Sequence, residues 1–282
     1  MEKFGIIVDS TTYLSEEQFQ KFGIRRVSLN VMVAGDTYKE LEIDNDFVFE
    51  QMKHHRLTTS QPAPGEFYEL YTEMLKTYET IFVVPISQNL SGTYQSAKLA
   101  HSMLDDEDMN RVHIFDAMNG AYGNELLVLE LADLIKQDLG KKEIVEKMNQ
   151  LITNSHLIFT IENLTNLMRS GRLSKTKALL GTVMRVKPLI QLADGKLDLF
   201  TSTRTHKKAL GEIIAMMKET TKDFKRIIVR IQNQHSDEQT DVLLNAVKEN
   251  FPNAKITLNT YIGPVFSIHI GKQGYGIAWT GE

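Results

Sequence analysis

Residues 80–104, "TIFVVPISQNLSGTYQSAKLAHSML", hold one complete unit of the architecture. "TIFVVPI" (80–86) is a short apolar run of the kind a buried strand requires, and "QSAKLAHSML" (95–104) reads as a helix. Outward from this unit the alternation repeats, predicting strand 80–86, helix 92–104, strand 111–115, helices 121–138 and 141–152, and strand 156–160. At the start, "FGIIVDS" predicts a buried first strand with Asp9 and Ser10 at its exit, and Ser15 is placed to cap a short helix in "SEEQFQKF". Such strand–helix repetition predicts a mainly parallel sheet flanked by helices.

Between these segments, "RRVSLNVMV" alternates, with Val27, Leu29, Val31 and Val33 on one face and Ser28, Asn30 and Met32 on the other. Helices are expected over 46–55 and 65–77, joined by "LTTSQPAPGEF", whose two prolines impose an extended loop and whose Pro64 can start the second helix. Past residue 155 the grammar changes. Residues 162–187 look helical with a break at "SGR", and "PLIQLADGKLDLF" predicts a hairpin turning at Asp194-Gly195. Helix 204–220, strand 226–232, helix 236–250, strand 254–262 and a last strand pair near 265–280 follow. The expectation is therefore an α/β protein of two domains. Residues 1–155 would form the N-terminal parallel-sheet domain, and 156–282 a C-terminal α/β domain with antiparallel strands.

A chain of 282 residues is long enough for two such cores, and 42% hydrophobic with 24% charged residues is a globular balance. No apolar run approaches the ~20 residues of a membrane span. The opening "MEKFGIIVDS" lacks a signal peptide's features, so a cytoplasmic location is expected. Zero cysteines exclude disulfides, thiolate metal sites and cysteine nucleophiles. Charge is uneven: between Arg169 and Lys208 ten Lys/Arg face two Asp, a segment of +8 in a chain of net −4, which leaves −12 elsewhere. A solvated helix face explains this as readily as a docking surface for an acidic partner or a phosphate. Nucleic acid fits poorly, because the chain is acidic overall and no aromatic-rich recognition motif accompanies the cluster.

Ligands of parallel sheets gather at the carboxyl ends of the strands, where Asp9-Ser10, Ser87 to Thr93 and Asp116 to Tyr122 all fall. Ser91 stands in a strand-to-helix turn, but the hydrolase elbow needs glycine two positions to either side, and this chain has Asn89 and Thr93. "SKTK" (174–177) matches Ser-x-x-Lys formally without its companion motifs. The histidines are scattered apart from His54-His55, and no metal-ligand spacing occurs. "GKQGYG" (271–276) is not followed by a helix, and no phosphate-binding loop is present. What survives is a set of donors at loop ends: Thr59, Ser60, Ser91 to Thr93, Asn119 and His269. A helix starting near Gly92 would aim free backbone N–H groups at an anion beside Ser91. Alternatively Ser91 simply caps that helix. Spacing leaves both readings open.

"IIVDSTTYL", "TSQPAPGEF", "PISQNLSGTYQSA", "IENLTNLMRSGRLS", "VKPLIQLADGKL", "TRTHKKAL" and "IGPVFSIHIG" together resemble the DegV family in order and spacing, across nearly the whole chain. The resemblance implies a two-domain protein that binds one long-chain fatty acid. It further implies a subunit that presents the acyl carboxylate to a separate ATP-dependent fatty acid kinase and then carries the acyl phosphate for phospholipid synthesis. By motif position it implies Thr59, Ser91 and His269 as carboxylate ligands, with Ser60 and Gly92 completing the polar pocket. Arg169, Arg172 and Arg204 would meet the kinase. An acyltransferase or the membrane surface would be a transient partner. No cofactor, metal or nucleic acid is implied, and the subunit itself would not be an enzyme. Burying about 14 methylenes at roughly 0.8 kcal/mol each offers about 11 kcal/mol before ordering costs.

Two departures stand out from the family pattern. Lys272-Gln273 replaces Pro-Gly after "HIG", and Glu40-Leu41 replaces Asp-Gly after Tyr38-Lys39. The first bears on the pocket mouth near His269, the second on a tight turn. The competing readings are a serine-type lipid esterase using Ser91 and His269, and a basic adaptor using residues 169–208.

Overall fold

A computed structural model describes residues 2–162, 164–173 and 186–282. Ser174 to Lys177 and Arg185, and with them most of the helix expected over 162–187, lie outside the described residues.

The chain begins β1 (Glu2–Asp9), α1 (Glu16–Phe22), β2 (Ile24–Val27), β3 (Asn30–Val33), β4 (Asp36–Lys39), a 3₁₀ turn (Glu40–Glu42) and α2 (Asn45–Gln51). It continues through β5 (Thr58–Ser60), α3 (Pro64–Met74), β6 (Tyr78–Val84), α4 (Thr93–His101), α5 (Asp106–Met109), β7 (Val112–Ile114), α6 (Tyr122–Ile135) and α7 (Lys141–Thr153). Then come β8 (His156–Ile161), α8 (Thr165–Ser170), β9 (Lys187–Ala193), β10 (Lys196–Thr203) and α9 (His206–Thr220). β11 (Ile227–Gln234), α10 (Asp237–Asn250), β12 (Lys255–Asn259), α11 (Pro264–Ile270) and β13 (Gly274–Gly281) complete it.

The first sheet, ordered β2-β1-β6-β7, is parallel throughout. Its central strands are apolar on both faces because helices cover both. Ile81 and Val83 of β6 pack with Phe67, Tyr71 and Ala97 from α3 and α4. Phe82 and Val84 point the other way, into a cluster with Leu127 and Leu131 of α6. A six-stranded sheet, β10-β9-β8-β13-β11-β12, is antiparallel except for the β11–β12 pair. A small antiparallel sheet, β4-β3-β5, makes the third layer.

One hydrophobic cluster runs through both large sheets, joining Ile6 of β1 to Leu157 of β8 and Ile228 of β11 around α6. Beside it, Arg230 Nε of β11 donates to Glu125 Oε2 of α6 at 2.6 Å, both side chains buried. Asn259 Nδ2 donates to both oxygens of the same carboxylate, leaving that buried charge with several partners.

Two expectations need correction. "VFSIHI", expected as strand, is the helix α11: Gly263 is its N-cap and Pro264 opens its first turn. Its apolar residues are buried on more than one side, and a continuous apolar run does not separate helix from strand by period. The alternating run "RRVSLNVMV" is split at Ser28-Leu29, so β2 belongs to the parallel sheet and β3 to the small one. Leu29 N donates to Ser10 Oγ at 2.9 Å, which ties the chain down as it leaves the first sheet.

Candidate ligand-binding site

Three elements converge at the carboxyl end of the parallel sheet. β5 supplies Thr59, whose cross-strand partner Val31 is fully buried; strand alternation therefore turns Thr59 inward and Ser60 outward. The turn after β6 supplies Ser91: Leu90 N and Ser91 N both donate to Ser87 O, at 3.0 and 3.2 Å. α11 supplies His269 in its last turn, with Val265 and Ile268 anchoring the helix among Leu29, Val31 and Val48.

Thr59 Oγ1 and His269 Nε2 lie 3.0 Å apart. Burial, and then the Arg172 charge, push His269 down to about 4, so its imidazole is neutral at pH 7. Ser91 Oγ sits 2.9 Å from Thr93 Oγ1 and accepts from Thr93 N at 3.3 Å. Ser91 and His269 thus face one cavity, yet they hydrogen-bond to different partners. Arg172 follows Gly171, whose φ of 75° turns the chain out of α8. Its guanidinium donates from Nη1 to Ser170 O at 2.8 Å and from Nε to Leu90 O at 3.4 Å.

Thr59, Ser91, Arg172 and His269 form the polar end of a narrow cavity whose remaining walls are apolar. Leu90, Phe159, Leu197, Phe266 and Ile270 line both this cavity and a second narrow one. The second extends between α6 and the six-stranded sheet, past Tyr122, Ile161 and Leu192, over the glycine floor of β13. That floor is necessary, because a Cβ on Gly276 would fall 2.1 Å from the Tyr122 hydroxyl and 2.6 Å from Phe159 Cβ. On the outer side, Arg172 and His269 also border an open cleft lined by Lys53, His54, His55, Arg56 and Arg169. The arrangement is an apolar slot that ends at hydroxyl and imidazole groups and leads into a cationic cleft. Chemically, it suits an anion with a long apolar tail.

Ser60 and Gly92 sit apart from this cavity. They line a neighbouring groove with Asn30 and Gln61, where Asn30 Nδ2 donates to Ser60 Oγ at 3.2 Å. A Cβ on Gly92 would come 2.9 Å from Gln61 Cδ, so glycine lets the two loops close on each other. Arg204 is exposed at the end of β10, away from the basic cleft. Asn119 is buried; its Nδ2 donates to Ser155 Oγ and its carbonyl accepts from Ser87 N, which fixes the loop below Ser91. Lys272 reaches over the Phe49 ring, 5.8 Å from its centre. Among the described residues, no group of three or more His, Cys, Asp or Glu is placed to hold a metal ion.

Glu40, noted above as a departure from the family pattern, supports the site in a way the sequence did not show. It is buried: Oε1 accepts from Tyr13 Oη and Val265 N, both at 2.9 Å, and Oε2 accepts from Ser10 Oγ at 2.5 Å. The carboxylate therefore seats the first turn of the helix that carries His269. Burial raises its pKa to about 7 against the pull of these hydrogen bonds. Val265 lies 225 positions from Glu40, and no local pattern signals such a contact.

Two sheets with a narrow apolar slot at the head of the parallel one make up the site's frame. A family model described as "Uncharacterised protein, DegV family" matches residues 3–282, and the chain belongs to that family. Protein DegV of Bacillus subtilis is 29% identical over 279 residues, 98% of each chain. The structure superposes on a fatty-acid-binding DegV family protein from Thermus thermophilus with TM-score 0.90 and 26% identity, covering 99% of this chain and 100% of that one. DegV from Bacillus subtilis, a fatty acid binding protein, superposes with TM-score 0.85 and 26% identity over 100% of both chains.

Proposed function

We propose that this protein binds a long-chain fatty acid, holding the carboxylate on Thr59, Ser91 and His269 and the tail in the apolar slot. Ser60 and Gly92 support the head site from behind by letting the two loops pack. The chain then presents the carboxylate to a separate ATP-dependent kinase that docks on the basic surface through Arg169, Arg172 and Arg204. The acyl phosphate is carried on, in the cytoplasm, towards phospholipid synthesis by an acyltransferase at the membrane. No turnover by this chain alone is part of the proposal.

One observation carries the reading: the apolar slot ends at the Thr59 and Ser91 hydroxyls, the neutral His269 imidazole and the Arg172 guanidinium, and Arg172 and His269 also border the cationic cleft. A neutral imidazole and two hydroxyls can satisfy a carboxylate withdrawn from water, whose burial without partners would be expensive. Cations beyond it suit an incoming phosphoryl group. A reconstituted assay with palmitate, ATP and the kinase should yield acyl phosphate, trapped as hydroxamate, and Ser91→Ala should reduce it. Turnover of an activated ester by the chain alone, with covalent labelling of Ser91 by a fluorophosphonate, would instead establish an esterase.

A further inference from the structure

Leu197 of β10 lines both halves of the slot. Its strand is the edge of the six-stranded sheet, with β9 on one side and, among the described residues, a single bridge to Leu173 on the other. Two breaks in pairing isolate the stretch around it. The β8–β9 register ends at Leu192, and the β9–β10 register shifts between Leu199 and Thr201. Residues 193–199 therefore form a flap bounded by two natural bending points. The tip of that flap is tied to the turn that carries Ser91. Ser87 Oγ donates to Gly195 O at 2.8 Å, and Asn89 Nδ2 donates to Asp194 O at 3.0 Å. The fit is close, since a Cβ on Gly195 would fall 2.5 Å from Ser87 Oγ. Ser87 O in turn accepts from Ser91 N, so the tie runs directly to the head site.

A narrow slot must widen to take a long alkyl chain. Its mouth is a poor route, because a tail threaded there would pass the Arg172 guanidinium and the Thr59 and Ser91 hydroxyls. We infer that the 193–199 flap is the gate of the slot, and that Ser87 and Asn89 are its latch. Swinging the flap outward breaks the two latch bonds and the Leu173 bridge, withdraws Leu197 from the wall and opens the tail cavity sideways. Asp194 and Lys196 are exposed, so the tip moves into solvent. The latch closes the flap over an empty and a filled slot alike, and so it sets the rates of entry and exit rather than the affinity. The inference rests on the fatty-acid reading above.

The chain has no cysteine, so a cysteine pair can be placed across the latch alone. In the delipidated full-length protein, Asn89→Cys and Asp194→Cys are joined by a short cleavable thiol cross-linker. Uptake and release of cis-parinarate are followed by stopped-flow fluorescence. Cross-linking should slow both by about tenfold or more while affinity stays within about twofold, and cleavage of the linker should restore the rates. Asn89→Ala removes one latch bond and should speed both about fivefold at unchanged affinity. Should the cysteine pair fail to fold or to link, Asn89→Ala decides alone. Equal rates in cross-linked and cleaved protein, or in Asn89→Ala and wild type, would mean that the tail threads the mouth; the inference then falls while the fatty-acid reading stands. If the wild-type protein takes up neither parinarate nor palmitate, the fatty-acid reading falls and takes this inference with it.

Discussion

Thr59 on β5 and His269 on α11 are 210 positions apart in the chain, yet Oγ1 and Nε2 meet at 3.0 Å. This contact joins the small three-stranded sheet to α11, and Glu40 holds the other end of that helix through Val265 N. The two anchors titrate in opposite senses. Burial lowers His269 from 6.5 to about 4, so the folded state binds fewer protons and stability is lost as pH falls from 6.5 towards 4. Glu40 is raised from 4.5 to about 7, so its contribution is present below pH 4.5 and is lost as pH rises towards 7. Each effect is on the order of 3 kcal/mol, and they partly cancel. Urea titrations at pH 4.5 and 7 should show that Glu40→Gln gains stability relative to wild type at the higher pH. His269→Asn should gain at the lower pH. Parallel pH profiles in all three proteins would contradict this.

Ser91 serves two purposes in this geometry, because its Oγ accepts from Thr93 N while lining the head cavity. The N-cap of α4 is Gly92 and not Ser91, so Ser91→Ala should cost on the order of 1 kcal/mol of stability through its lost hydrogen bonds to Thr93. It should also weaken fatty-acid binding about tenfold through the lost donor. Calorimetry of the same preparation separates the two; a fall in melting temperature with unchanged affinity would leave Ser91 with a local structural role only.

Gly276→Ala places a methyl where the Tyr122 hydroxyl and Phe159 now lie. Overpacking of this kind typically costs about 1–3 kcal/mol. Because the added volume falls in the tail cavity, the variant should also favour shorter acyl chains. A competition series from laurate to stearate measures that shift, and an unchanged chain-length profile would separate Gly276 from the slot.

Removing one partner of the buried Arg230–Glu125 pair leaves an uncompensated charge between β11 and α6. Glu125→Ala should therefore destabilise by about 3–5 kcal/mol in denaturant titration. Replacing both residues with apolar side chains should recover a large part of that loss.

Arg169 lines the outer cleft and not the head cavity. Arg169→Glu should slow acyl phosphate formation by the kinase while fatty-acid affinity stays within about twofold, and added salt should narrow the difference between variant and wild type. Equal rates at low salt would move the kinase's footprint elsewhere.

Much of this was legible in the residues. β1 and β6 announce themselves because strands buried on both faces must be apolar throughout. Asp194-Gly195 marks its hairpin because both residues need positive φ, 49° and 71° here. α11 was misread because it is buried around much of its circumference, which erases the period that distinguishes helix from strand. Ser60 lies next to Thr59 in sequence but points to the other side of its strand, a separation that only strand register reveals. Glu40 showed only as a departure from the family pattern, read as bearing on a tight turn. Its role comes from partners brought near by tertiary packing, and a lone Glu in a string carries no record of which amides and hydroxyls will surround it.

The central claim is tested most directly by native mass spectrometry of the protein purified from cells, with the ligand mass read after gas-phase release. The expected result is a bound long-chain fatty acid at one per chain, diminished in a Thr59→Val, Ser91→Ala double variant that remains folded. Lipid-free protein that also fails to take up added palmitate or stearate would contradict it.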